Sequence, residues 1–503
     1  MRSIRLAFTV LAATALAACG GGGSDGPAID NSLARGSLVA NPPNQVPIPQ
    51  PDGSYAKTLE PALFKAKLDA AGLTPVTGVP KCAISVYYME YGTVGGAGEK
   101  TNATGAIMVP SGADPACSGT RPVLLYAHGT SYDKNYNFAQ IDKNTEASLA
   151  AAMYAAQGFI VVAPNYAGYD VSKLPYHPYL NAEQSANDMV DALRAARKAF
   201  ANINAKDSGK LFITGYSQGG HVAMATQRAM QSTYASEFKV TAMAGQSGPY
   251  AMTLLGDATF GGTPNLGATI FFPMISTSWQ KSYGGLYSSP SDMYEAQYAT
   301  GIETLLPSTT PNTIFSSGKL PQLALFAADS QPQAPIIPGS FGPNNLIKTS
   351  FRNTYLADLQ AHPCNANAAD PLNCAPANPF RQRGLQNDLR NYVPTVPVLL
   401  CGGNADPTVF WASTQVTAAY FGAKGMPAQA LQMLDVDSAA TGPDDPFAAI
   451  KAGFAQLKAA TAEAAGGGAA GQAAVVTAYH GTLVPPFCNA AARGFFQSVL
   501  AAQ

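Results

Sequence analysis

Charge is scarce in this chain. Asp, Glu, Lys and Arg make up 12% of its 503 residues and cancel to a net charge of −1, where a soluble domain usually carries about 25% charged residues. Without a basic excess there is no electrostatic footprint for nucleic acid, which is set aside as a partner. Histidine is limited to five residues, so few side chains can exchange protons near neutrality. The cysteines form no C-x-x-C pair and have no nearby histidine cluster, so zinc spacing is absent and no metal is expected. No internal repeat is visible. The apolar run Leu6 to Leu16 is too short to cross a bilayer.

Apolar residues make up 47% of the chain, enough for a large core, and a single α/β domain with insertions often reaches this length. Arg2 and Arg5 precede the short apolar run and Leu16-Ala17-Ala18-Cys19 ends it, so residues 1–18 read as a signal peptide. The tetrapeptide resembles a bacterial lipobox. That resemblance implies a lipidated Cys19 at the mature N-terminus and, with Gly20 rather than Asp following, an anchor in the outer membrane. The alternative is an ordinary signal peptide and a secreted protein. Residues 19–55, first Gly-rich and then Pro-rich, read as a tether.

Six further cysteines form an even set in an exported chain, which implies three disulfides among 15 connectivities. Proximity favours Cys364–Cys374 and Cys82–Cys117, leaving Cys401–Cys488.

Alternation or continuous apolarity marks strands at Ala83–Tyr91, Gly105–Val109, Val123–Ala127, Phe159–Ala163, Leu211–Thr214 and Val240–Ala244. Helical patterns fall between them at Asn144–Ala156, Asn181–Phe200 and Gln218–Gln231. This rhythm predicts a mostly parallel sheet with helices on both faces. It breaks over residues 250–393, which are rich in Gly, Pro, Ser, Asn and Tyr with only short helical pieces such as Ser291–Thr304 and Tyr355–Leu359. The break reads as an inserted cap within a domain spanning 56–503. Beyond it, Val396–Leu400 and Ala430–Val436 are strands, and Phe410–Phe421 and Ala448–Ala465 are helices. Gly466–Gly471 reads as flexible, and Asn489–Ala501 closes the chain as a helix.

At the end of one strand stands Thr214-Gly215-Tyr216-Ser217-Gln218-Gly219-Gly220-His221, a G-x-S-x-G turn leading into a helix. Gly215 and Gly219 have no Cβ, so strand and helix can close around a strained serine. Such an elbow lifts the Ser217 hydroxyl above the sheet and places the Gln218 amide where an oxyanion forms. A serine needs a base, and the base needs a carboxylate to fix its tautomer. In folds built on this elbow the order is serine, acid, histidine. His128, His177 and His221 precede the acid or flank the nucleophile, and His362 falls in the insertion. His480, on a predicted loop before the last helix, is the base.

Asp406, in Gly403-Asn404-Ala405-Asp406-Pro407 directly after a buried strand, is the candidate acid; Asp435 and Asp437, after the next strand, are its rivals. The second oxyanion amide is placed at Thr130 in Ala127-His128-Gly129-Thr130-Ser131, with Ser131 the alternative and His128 orienting the turn. Tyr166 reads equally as a pocket wall or a packed turn aromatic. Phe271, Phe272, Trp279, Tyr283, Tyr287 and Phe315 are candidates for an acyl-binding wall.

Strand-H-G-T, P-N-Y-x-G, G-Y-S-Q-G-G, G-G-N-A-D-P and a late Y-H-G resemble, in this order, the secreted lipase and esterase branch of the α/β-hydrolases. The resemblance implies the α/β-hydrolase fold, hydrolysis of small-molecule or lipid esters, a cap over the site and no cofactor. The H-G-T turn departs from the family's H-G-G-G, and the stretch between Asp406 and His480 is long. The S-x-G-G element is also similar to prolyl-oligopeptidase-type peptidases, but no room exists before the first central strand for their propeller. A serine peptidase of the same fold, a polyester depolymerase and a non-catalytic binding protein are the competing readings.

Overall fold

The computed structural model describes residues 33–330 and 337–502; the expected signal peptide at residues 1–18 and Cys19 lie outside the described residues. Nine strands form one sheet: β1 (Asn44–Gln45), β2 (Ala83–Val94), β3 (Lys100–Ser111), β4 (Arg121–Ala127), β5 (Ile160–Pro164), β6 (Asp207–Tyr216), β7 (Val240–Gln246), β8 (Val398–Gly402) and β9 (Leu431–Asp435). Their spatial order is β1-β2-β3-β5-β4-β6-β7-β8-β9. Pairing is antiparallel from β1 to β5 and parallel from β5 to β9.

The continuous apolar strands earn their place by facing two cores. Val123, Leu125 and Ala127 of β4 pack into one buried cluster, while Leu124 and Tyr126 pack into another on the opposite face. The first is covered by α2 (Ala182–Ala199) and α3 (Gln218–Gln231). The second is covered by α1 (Thr145–Met153) and by the C-terminal helix. Asn144 and Asn181 cap α1 and α2 by accepting backbone N–H groups with their side chains. The disulfides are Cys82–Cys117, Cys364–Cys374 and Cys401–Cys488.

Three regions depart from the sequence reading. Residues 33–55 are not a free tether. Arg35 pairs with buried Asp191 at 2.8 Å, β1 pairs with β2, and Ile48 is buried. An edge strand such as β2 offers unpaired backbone groups, and this segment satisfies some of them.

The insertion between β7 and β8 is more helical than its composition suggests. It holds α4 (Met252–Gly261), α5 (Ala268–Tyr283), α6 (Thr349–Ala361) and α7 (Pro379–Gln386). The predicted helix Ser291–Thr304 resolves into short turns. Packing overrides weak local propensity here: α5 keeps its helix through Pro273 because both flanks bury their side chains. Phe260, Phe272, Trp279, Tyr294 and Phe380 lead a separate core for this segment.

At the C-terminus, Gly466–Gly471 is not a flexible link. After α8 (Trp411–Ala423) and α9 (Ala448–Ala464), α10 (Gly468–Ala478) runs into a π-helical turn, Tyr479–Leu483, and directly into α11 (Val484–Ala501). Pro485 and Pro486 supply no N–H to the turn before them, which favours a looser helical register there. His480 therefore rides on a helix and not on a loop.

Candidate active site

Ser217 terminates β6 with φ 59° and ψ −121°, the left-handed region that costs a non-glycine residue energy. The glycines around it are required by space. A Cβ on Gly215 would lie 2.3 Å from the Gly219 carbonyl oxygen, and one on Gly219 would lie 2.0 Å from that of Ala127. The Ser217 N–H donates to the Gln246 carbonyl at 2.9 Å, which ties the turn to β7.

His480 Nε2 lies 2.8 Å from Ser217 Oγ, and His480 Nδ1 lies 2.7 Å from Asp406 Oδ2. With the Nδ1–H donated to the carboxylate, Nε2 is left as the acceptor for the serine hydroxyl. The other Asp406 oxygen accepts the N–H groups of Thr408 and Val409 at 2.9 and 3.0 Å. Those bonds fix the carboxylate's orientation.

The rival acids sit elsewhere. Asp435 accepts from Asn404 N and Nδ2 at 3.1 and 2.8 Å. Asp437 pairs with Lys458 at 2.6 Å and accepts the Tyr479 hydroxyl at 2.7 Å. Tyr479 in turn accepts the Ala405 N–H at 3.2 Å. Both aspartates hold the loop that carries Asp406, and neither faces His480.

The H-G-T turn stands beside Ser217: a Cβ on Gly129 would lie 3.7 Å from Ser217 Cβ. His128 reaches the carbonyls of Gly129 and Asn165 at 2.6 and 3.1 Å and stacks on Tyr166, ring centres 4.1 Å apart. Burial pushes its pKa down to about 4, so the ring is neutral at pH 7 and its single N–H serves one of those two carbonyls. Tyr166 is a packed turn residue whose hydroxyl donates to the His128 carbonyl at 3.0 Å; it does not line the pocket. The Thr130 hydroxyl meets Tyr179 at 2.7 Å.

Two partners of this region escaped the sequence reading. Glu146, on the first turn of α1, accepts the Gly129 N–H at 2.9 and 3.1 Å. His177, held near pKa 3 by burial, donates Nδ1–H to the Ala167 carbonyl at 2.9 Å and accepts the Gln218 side-chain N–H at 2.7 Å. Locally, Glu146 reads as an ordinary first-turn helix acid and His177 as a loop residue. His221 faces away from Ser217 and donates to the Asn387 carbonyl at 3.0 Å.

Ser217 and Gln218 open onto a pocket in the insertion. Of the six expected wall aromatics, Phe271, Phe272 and Trp279 line it, joined by Leu255 and Phe260. Tyr283, Tyr287 and Phe315 do not line it; Phe315 is exposed on the surface. The pocket also touches Asp257 and Arg381, an ion pair at 3.1 Å. Among the described residues no cluster of His, Cys, Asp and Glu is arranged to hold a metal ion.

The fold has known counterparts. The chain aligns over 84% of its length, and over 95% of the other's, with a rice cell wall degrading esterase, LipA, from Xanthomonas oryzae, at 27% identity and a TM-score of 0.65. The chain has the α/β-hydrolase fold, and its likeness is to esterases and lipases. A putative hydrolase from Legionella pneumophila shares the fold at 19% identity, with 92% and 98% of the two chains covered and a TM-score of 0.64. A family model described as secretory lipase matches residues 138–258 of the chain, the segment that carries Ser217. Lipase 5 of Candida albicans is 36% identical over 81 residues, a match spanning 16% of each chain.

Proposed function

We propose that this α/β-hydrolase cleaves carboxylic esters through an acyl-enzyme on Ser217, with His480 as base and Asp406 as the acid that orients it. The observation carrying the reading is that His480 lies within hydrogen-bond reach of both Asp406 Oδ2 and Ser217 Oγ, and that Ser217 lines an apolar pocket. Similarity to a cell wall degrading esterase and to secretory lipases supports esters as the substrate class.

In this mechanism Ser217 Oγ attacks the ester carbonyl while its proton passes to His480 Nε2. Asp406 stabilises the imidazolium and keeps Nε2 facing the serine. The negative charge on the former carbonyl oxygen is met by the N–H groups of Gln218 and Thr130. His480 then protonates the leaving alcohol, and water activated by the same imidazole releases the acid.

The insertion at 250–393 acts as a cap whose aromatic wall receives one side of the ester. Lipidation at Cys19 fastens the enzyme to the cell envelope, at the outer membrane. A serine-directed fluorophosphonate should label the wild type and not Ser217→Ala. Hydrolysis of p-nitrophenyl esters should be lost in the same variant. Peptide cleavage without ester cleavage would replace this reading with a peptidase.

A further inference from the structure

Two peptide groups next to Ser217 are held by side chains with no part in the proton relay. The first joins His128 to Gly129. Its N–H donates to the Glu146 carboxylate at 2.9 and 3.1 Å, and its carbonyl accepts the Tyr166 hydroxyl at 3.0 Å. The second joins Gly129 to Thr130, and its carbonyl lies 2.6 Å from His128 Nδ1. In a trans peptide the N–H points opposite to the carbonyl. With the neutral ring's one proton on Nδ1, the nitrogen with the shorter contact, His128 donates to Gly129 O, and this turns the Thr130 N–H the other way.

The aim of that N–H depends on the plane before it, and Glu146 fixes that plane. Glu146 is itself well held. Its oxygens accept the hydroxyls of Tyr126 on β4 at 3.0 Å and of Tyr136 at 3.3 Å. It also sits on the first turn of α1, where the backbone N–H groups and helix dipole favour a carboxylate. One partly buried side chain thus links a sheet strand, a helix start and the turn beside the nucleophile.

The geometry points to Glu146 as a positioning residue that sets the direction of the Thr130 amide toward the reacting carbonyl oxygen. This rests on the proposed ester-hydrolase reading and assigns Glu146 no contact with substrate. A short neutral side chain at 146 leaves Gly129 N–H without its acceptor and lets the turn rotate. The substrate still binds, but the oxyanion is met at the wrong angle.

The test compares wild type with Glu146→Ala, Glu146→Asp and Glu146→Gln. Active sites are counted by fluorophosphonate, and kcat, KM and inhibition by a trifluoromethyl ketone are measured. The ketone forms a tetrahedral oxyanion with serine, so its affinity reports the oxyanion contacts. Removing an oxyanion donor outright costs about 100- to 1,000-fold; misdirecting one is expected to cost roughly 10- to 100-fold in kcat.

Glu146→Ala should show that loss, with KM within about twofold and ketone affinity falling in parallel with kcat/KM. Glu146→Gln keeps an acceptor for Gly129 N–H and should restore most of the rate. Glu146→Asp keeps the charge but is a methylene too short, and should behave like Glu146→Ala; it decides the matter if the alanine variant does not fold. Unchanged kcat per labelled site in Glu146→Asp overturns the proposal, as does a loss of kcat that ketone affinity does not follow. A wild type that neither labels nor cleaves esters refutes the ester-hydrolase reading itself, a distinct outcome.

Discussion

Tyr216 donates its hydroxyl to the backbone carbonyl of His480. The residue immediately before the candidate nucleophile thus holds the main chain of the candidate base, although 263 positions separate Ser217 from His480. The aromatic rings of Tyr216 and His480 also lie 5.1 Å apart. Tyr216→Phe keeps the ring and removes the bond. It should lower kcat several-fold and stability by about 1 kcal/mol, the usual worth of such a bond. Steady-state kinetics with urea unfolding checks both; unchanged values would make the contact incidental.

Ser217→Ala and His480→Ala should each reduce kcat by several orders of magnitude without loss of fold, and the double variant should be little worse than either. Asp406→Asn should also be severe, since an amide can donate to Nδ1 and favour the wrong tautomer. Asp435→Asn should be mild because Asp435 supports Asn404 and not His480. Near-normal turnover in Asp406→Asn would move the acid elsewhere.

The pocket predicts a dependence on acyl length. If Phe271 lines the channel that receives the chain, kcat/KM should rise with chain length by up to ~0.8 kcal/mol per buried methylene. Phe271→Ala should penalise long esters more than acetates, whereas Tyr283→Phe, off the pocket, should leave the profile alone. A graded series of p-nitrophenyl esters supplies the measurement. A flat profile insensitive to Phe271 would reduce the insertion to packing.

Stability should carry a signature of Glu146. Burial pushes its carboxyl from 4.5 up to about 7. A raised carboxyl pKa means that the folded protein binds the proton more tightly than the unfolded chain does. The group's contribution is therefore present below pH 4.5 and is lost as pH rises towards 7. Glu146→Gln cannot titrate, so its stability relative to wild type should improve across that window and level off on either side. Urea unfolding in acid and in mild base measures the gap, and a gap independent of pH would contradict the assignment of burial as the cause.

Cys19→Ser should abolish acylation and release the protein from the envelope, while the folded domain keeps its ester activity. Metabolic labelling with a fatty acid and cell fractionation provide the check. Wild type recovered soluble and unlabelled would leave the ordinary signal peptide as the better reading.

The legible parts of this chain were those whose causes are local. The turn around Ser217 announces itself because Gly215, Gly219 and the apolar run of β6 lie within a few residues of one another. Chain order and the scarcity of histidine point to His480 as the candidate base but not to its helical seat. Glycines at 466–471 and prolines at 485 and 486 look like interruptions. The helix survives them because Val475, Ala478 and Leu483 pack onto the core. Helices α4 and α5 were hidden for the same reason, since Gly, Ser, Thr and Pro273 give weak local signals and burial supplies the rest. Glu146 and His177 were invisible as partners. Their contacts, Gly129 and Gln218, come from 17 and 41 residues away.

The continuous run from α10 through the π turn into α11 makes His480 part of a strut. Cys488, eight residues further along, rivets that strut to Cys401 at the end of β8, the strand that leads to Asp406. Asp406 and His480 are thus mounted on members joined by a covalent bond, and Tyr216 braces His480 from the side. The disulfide limits how far the Asp406 loop and the His480 turn can drift apart, so the 2.7 Å contact between the two side chains is guarded by the fold itself.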